Sequence, residues 1–193
     1  MTLILASVID GHAVIAADRR IKTGIADADI STYTNGEDDK LFKVGNYVIA
    51  SFGGNPLNFP TTIPCYVRNL PTTFTSPKEL ATHICQELCN YQYSEQTLGM
   101  LIGGFCTDGY ELLEVTPQNN NITNLSTTEL YVHSRGVGVQ PVILKASNIN
   151  ELKNEFMQVF LCVSSQSDSV GSPFDFATLT AESVPTNERF PLN

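Results

Sequence analysis

The sequence predicts an α+β domain in which antiparallel sheets carry helices on their outer faces, and three observations predict it. Strand-like runs come in pairs around tight-turn dipeptides. Two segments space their apolar residues for one helical face. The order is strands, a helix, two more strands, a helix and a last strand, which favours sheets with helices laid over them.

The first pair is Thr2 to Ile9 and His12 to Asp18, β-branched-rich runs separated by Asp10-Gly11, a strong hairpin signal. Leu41 to Val44 and Tyr47 to Phe52 repeat the pattern around Gly45-Asn46, and Leu98 to Cys106 and Tyr110 to Thr116 repeat it around Asp108-Gly109. Ser76-Pro77-Lys78-Glu79 sets a capping serine, a first-turn proline and a reciprocal glutamate ahead of Leu80, Ala81, Ile84, Leu88 and Cys89. That predicts a helix from about Pro77 to Tyr91. A second helix is expected from about Asn150 to Val163, with Leu152, Phe156, Val159 and Phe160 as its buried stripe, and Phe174 to Thr180 reads as a late strand. Four prolines between Pro56 and Pro71 rule out a long helix there.

Length and composition limit the rest. A chain of 193 residues suits one domain, 1–193, able to bury a full core without disulfides. The 11 basic and 20 acidic residues give a net charge of -9, which opposes nucleic acid and anionic membrane surfaces. Cys65, Cys85, Cys89, Cys106 and Cys162 are an odd set without C-x-x-C spacing, so buried free thiols are expected rather than a disulfide framework or a zinc site. His12, His83 and His133 are scattered and read as turn or surface residues, and no metal is expected. The opening run has no basic flank and is cut by Asp10, and no other segment approaches a membrane span. A cytoplasmic location is the expectation, and the sequons at Asn121 and Asn124 then read as chance matches.

The chemistry is carried by M-T-L-I-L-A-S-V-I-D-G-H-A-V-I-A-A-D-R-R-I-K-T-G at the start, D-K-L-F-K-V-G-N-Y-V-I-A-S-F-G-G further on, and L-G-M-L-I-G-G-F-C-T-D-G-Y-E-L-L-E-V-T-P after that. Together these resemble the proteasome beta-subunit type of N-terminal-nucleophile hydrolase, including the bacterial peptidase subunit that works with an unfoldase ring. The likeness covers about residues 2 to 117 well and the remainder loosely. It implies a four-layer αββα sandwich, two antiparallel sheets between helical layers.

It also implies a site. Thr2, made amino-terminal by removal of Met1, takes the nucleophile position; Asp18, Lys40 and Gly54 take those of the carboxylate, the lysine and the oxyanion donor. Arg20, Ile21, Lys22 and Phe52 fall on substrate-binding positions, Phe52 at the base of the pocket for the residue before the cleaved bond. The chemistry is intelligible on its own. A threonine hydroxyl is a weak nucleophile at neutral pH, and a free α-amine with a pKa of about 7.7 to 8.0 is a base poised to take its proton. Lys40 would lower that amine's pKa, and Asp18 would hold Lys40. A backbone N–H at Gly54 would stabilise the oxyanion, and glycine lets a substrate approach closely.

Three departures stand beside the likeness. Ser134 takes the place of a helper serine without the glycine that precedes it in relatives. Asp168 and Ser169 lie one residue closer to Gly171 than the family's D-x-x-S-G pattern requires, and aligning Gly171 and Asp175 would put Ser167 and Val170 there instead. The polar, acidic Ile25 to Asp39 insertion could overhang the site or contact a partner. The expected function is a threonine-type peptidase acting on peptides or unfolded protein in a homo-oligomer, without cofactor, with any ATPase or unfoldase on a separate chain. The alternatives are a non-catalytic subunit of the same fold and an amidase acting on a small molecule.

Overall fold

At the first hairpin Asp10 and Gly11 both adopt positive φ, 50° and 68°, the conformation a two-residue turn between twisted strands requires. Strands β1 (Leu3–Ile9) and β2 (His12–Asp18) therefore pair antiparallel, with Ile4 opposite Ala17 and Ile9 opposite His12. The structure is a computed structural model that describes residues 2–23, 32–35, 40–93, 98–126, 130–134, 144–167, 170–171 and 173–190, for 20–23 and 32–35 the backbone alone.

Beyond β2, β3 (Arg20–Thr23) and β4 (Thr32–Asn35) form a separate two-stranded ribbon. The expected 25–39 insertion supplies β4; the rest of it lies outside the described residues. Then come β5 (Leu41–Val44), β6 (Tyr47–Phe52), α1 (Ile63–Arg68), α2 (Pro77–Leu88), β7 (Gly99–Cys106) and β8 (Gly109–Thr116). A 3-10 turn at Pro117–Asn119 leads into β9 (Asn121–Asn124), β10 (Leu130–Ser134), α3 (Ile149–Gln166), β11 (Phe174–Thr180) and β12 (Thr186–Phe190).

These strands make two five-stranded antiparallel sheets, ordered β10-β1-β2-β11-β12 and β5-β6-β7-β8-β9. Strand alternation decides what each face meets. Leu3, Leu5, Val14 and Ala16 turn outward to Leu152, Phe156, Phe160 and Val163 of α3. Ile4, Ala6, Ile15 and Ala17 turn inward to Leu41, Val48, Ala50 and Leu101 of the other sheet. That second sheet presents Phe42, Ile49, Met100 and Ile102 outward to Leu80, Ile84 and Leu88 of α2 and to Ile63 and Val67 of α1. Helix, sheet, sheet, helices: the αββα sandwich is an α+β fold, and it rests on three apolar layers.

The helices depart from expectation in detail. Ser76 Oγ accepts from the Glu79 N–H at 3.1 Å as a cap, but the Glu79 carboxylate reaches back to Thr75, accepting from its N–H at 2.7 Å and its hydroxyl at 2.8 Å, so the box closes one residue early. Helix α2 stops at Leu88, short of Tyr91, because the Tyr93 hydroxyl donates to the Leu88 carbonyl at 2.9 Å and the Tyr91 ring packs edge-on against Phe59. Helix α3 starts one residue earlier than expected because Asn148 caps it, its Oδ1 accepting from the Asn150 and Glu151 N–H groups, and it continues three residues past Val163 to Gln166. Of the five cysteines only Cys85 is buried; Cys65 and Cys162 are exposed, correcting the expectation of buried thiols, because both lie on outward helical faces. No described helix is long and apolar enough to cross a membrane.

Candidate active site

The last residues of β2 and the first of β1 meet at one end of the space between the sheets, where the pattern turns polar. Asp18 is fully buried, Arg19 5 % exposed and Thr2 6 % exposed, beside the apolar run of β2 from Ala13 to Ala17. A buried carboxylate survives only if its charge and lone pairs are met. The Leu3 N–H donates to Asp18 Oδ1 at 2.8 Å, and the Lys40 ammonium lies 3.0 Å from both Asp18 oxygens. Two donors thus make three hydrogen bonds to one carboxylate, two of them from a cation.

Lys40 is delivered by the turn into β5. Its carbonyl accepts from the Ser51 N–H at 2.8 Å, which ties the start of β5 to the end of β6. Burial pushes the Lys40 pKa below its ordinary 10.5, and the charge and hydrogen bond of Asp18 oppose that shift. Thr2 is bonded to Leu3, whose N–H is held by Asp18, so the beginning of the described chain, the carboxylate and the lysine form one cluster although 22 residues separate Asp18 from Lys40.

The remaining predicted residues are placed unevenly. Ser134, the last residue of β10, stands opposite Leu3 in the β1–β10 register and so reaches the same end of the sheet. Gly54 follows β6 and is half-exposed, directly after Gly53, whose φ of 97° turns the chain away from the strand and requires glycine. Phe52 is half-buried and stacks on His133, ring centroids 3.7 Å apart at 28°. A Cβ on Gly99 would lie 2.0 Å from the Phe52 ring, so glycine there is what lets the ring lie flat against β7. The backbone of Arg20, Ile21 and Lys22 forms β3, next to the site in sequence; their side chains, with Asp168 and Ser169, lie outside the described residues. Ser167 ends α3 as its C-cap in extended conformation.

Two features went unread in the sequence. His133, expected at a turn or surface, sits within β10 against the Phe52 ring, because its register partner Ile4 faces the inter-sheet layer. Next to Asp18, Arg19 donates from Nη1 to Asp175 Oδ2 at 3.2 Å, while Arg189 donates from Nε to Asp175 Oδ1 at 3.0 Å. The Arg19-Arg20 doublet was the available signal for Arg19, and nothing local marks Asp175, 156 residues away.

No protein-family model matches the chain, and no curated protein matches it. Solved structures do. The Gly-1 mutant of Anbu from Hyphomicrobium sp. strain MC1 superposes with a TM-score of 0.71 at 17 % identity over 100 % of this chain and 88 % of that one. Anbu, an ancestral beta-subunit, from Yersinia bercovieri gives 0.69 at 17 % identity over 99 % and 88 %. A helical assembly of the Anbu complex from Pseudomonas aeruginosa gives 0.71 at 15 % identity over 99 % and 87 %. At such identities the likeness shows the fold alone, the one that these Anbu structures share.

Proposed function

We propose that the chain is a threonine-type N-terminal-nucleophile peptidase of the proteasome-like lineage. The observation that carries this reading is the buried Asp18–Lys40 pair whose carboxylate also takes the Leu3 N–H, one residue from Thr2. A protein gains little from sequestering a lysine and an aspartate unless the pair does something. Here the pair adjoins the one residue that can offer a hydroxyl and a free amine together.

In this reading Met1 is removed and the Thr2 Oγ1 attacks an amide carbonyl while the Thr2 amine takes its proton. The Lys40 ammonium, held by Asp18, lowers the amine's pKa so that the neutral form is present near neutral pH. An N–H at Gly54 stabilises the oxyanion, a contribution of about 3 to 4 kcal/mol where such donors have been removed. The amine returns its proton to the leaving nitrogen, and water resolves the ester. Ser134, which stands opposite Leu3 in the strand register, supports the amine in this reading, with Asp168 and Ser169 in the same supporting role and Arg20, Ile21 and Lys22 along the substrate. Phe52, its ring pinned between Gly99 and His133, favours a small or medium apolar side chain before the cleaved bond. The chain works as a homo-oligomer in the cytoplasm, and any unfoldase is a separate protein.

A panel of short peptides and small acyl amides, assayed with the protein and with Thr2→Ala, tests this reading. Hydrolysis of peptides, lost in the variant, supports it. Hydrolysis of the amides alone points to a small-molecule amidase, and no hydrolysis at all points to a structural subunit.

A further inference from the structure

The Phe52 ring is held on both faces, and the two faces belong to different sheets. On one side lies the backbone of Gly99 on β7, so close that a Cβ there would meet ring carbons at 2.0 Å and 2.3 Å. On the other lies His133 of β10, with 3.7 Å between ring centroids and 28° between planes. His133 is opposite Ile4, which faces the inter-sheet layer, and Ile4 directly follows the Leu3 whose N–H binds Asp18. Strands β6 and β7 belong to one sheet and β10 to the other. The Gly99–Phe52–His133 stack therefore spans the gap between the sheets at the end where Thr2, Asp18 and Lys40 gather.

A phenyl ring moves by rotating about its side-chain torsions, and each swing needs space beside one of its faces. Here both faces are occupied by parts of the fold that cannot retreat. The β7 backbone is paired with β6 on one side and β8 on the other. His133 is carried by a strand paired with β1 from Leu3 opposite Ser134 to Ser7 opposite Leu130. Tyr131, two residues earlier on the same face of β10, hydrogen-bonds Glu114 of β8 and so ties that strand to the facing sheet a second time. Close-packed neighbours and a stacked aromatic partner thus fix the ring's pose. A ring that cannot move aside gives a pocket of fixed depth, and a large side chain meets it as a clash.

We propose that His133 is a specificity-determining residue of the site: by covering the second face of the Phe52 ring it keeps that ring from swinging aside, so that the pocket for the residue before the cleaved bond keeps its depth and rejects large aromatic side chains. His133 acts through Phe52 and touches no reacting atom. The inference rests on the peptidase reading above, with Phe52 at the base of that pocket.

The test measures kcat/KM on a peptide series that differs only in carrying Ala, Val, Leu or Phe before the cleaved bond, for the intact protein and for His133→Ala, His133→Leu and His133→Phe. The readout is the ratio of the Phe to the Ala substrate within one preparation, which does not depend on how much of that preparation is folded. In His133→Ala the ratio rises about 10-fold, the discrimination that one methylene gives in an apolar pocket. His133→Phe sets a flat ring against Phe52 again and keeps the ratio within about twofold of the parent. If His133→Ala does not fold, His133→Leu, which fills the space with no ring to stack, carries the test with a rise of about threefold. An unchanged ratio in His133→Ala, or in His133→Leu where that variant carries the test, overturns the proposal and leaves the peptidase reading in place. So does a ratio that rises as far in His133→Phe as in the variant without a ring. A parent protein that cleaves none of the series and takes up no threonine-directed epoxyketone instead overturns the peptidase reading, and this proposal with it.

Discussion

The interior of the sandwich and the charged end of its first hairpin are built from the same strands by opposite rules. In the interior, Phe156, Phe160, Phe174 and Phe176 are essentially inaccessible, and Phe160 packs its ring on Phe174 and Phe176, the Phe160 and Phe174 centroids 4.7 Å apart. Any apolar group of the right volume serves there, because burial is non-directional and roughly proportional to area. At the polar end each group has a named partner, and losing one strands the other. The interior therefore tolerates change of identity and penalises change of volume, whereas the polar end does the reverse.

The largest effect expected from breaking this contrast is chemical. Thr2→Ala lowers peptide hydrolysis by more than about 10³-fold and leaves the melting temperature within about 2 °C of the parent, read by steady-state assay and calorimetry. Phe160→Ala does the opposite. It opens a cavity between α3 and its sheet and costs about 3 to 5 kcal/mol in urea unfolding, without singling out the reaction among its effects. Lys40→Met strikes both properties: hydrolysis is lost, and the stranded Asp18 charge costs about 3 kcal/mol, whereas Lys40→Met with Asp18→Asn, which removes both charges and keeps an acceptor for the Leu3 N–H, regains much of the stability and no activity.

A smaller, signed effect concerns pH. The folded-state pKa of Lys40 lies below the 10.5 of the unfolded chain, so just below pH 10.5 the unfolded form holds more protons than the folded one. The penalty of burying the charged ammonium is complete below the folded pKa and fades as pH rises through it toward 10.5. The stability of the parent relative to Lys40→Met accordingly rises with pH across that window, as urea midpoints will record. The smallest effect belongs to the ion pair of Lys153 on α3 with Glu188 on β12, whose glutamate side chain is 44 % exposed. Lys153→Ala costs under about 1 kcal/mol, and less at high salt.

The same contrast explains what could be read in advance. Periodicity is local, so the hairpins at Asp10-Gly11, Gly45-Asn46 and Asp108-Gly109 and both long helices were visible in the sequence. Strands β9, β10 and β12 were not, because all three are short edge strands, Asn121–Asn124 and Thr186–Phe190 mostly polar and Leu130–Ser134 without alternation, so they do not stand out from loops. Among the site residues, Asp18 and Lys40 were legible only through spacing shared with relatives, and the structure brings them together. Asp175 and Arg189 carry no such spacing, and a bond across 156 residues leaves no trace in a local pattern. His133 was misread because one histidine in a five-residue run gives no hint of a ring 81 positions away in the chain.

The account turns on Thr2 as nucleophile, and mapping by tandem mass spectrometry tests that most directly. The protein, taken from its own host, would be sequenced from its amino terminus, treated with the epoxyketone and digested. The prediction is a chain beginning at Thr2 with the probe's mass on that residue alone. A chain that keeps Met1 and takes up no probe, or one labelled instead on the exposed thiols of Cys65 and Cys162, would contradict it.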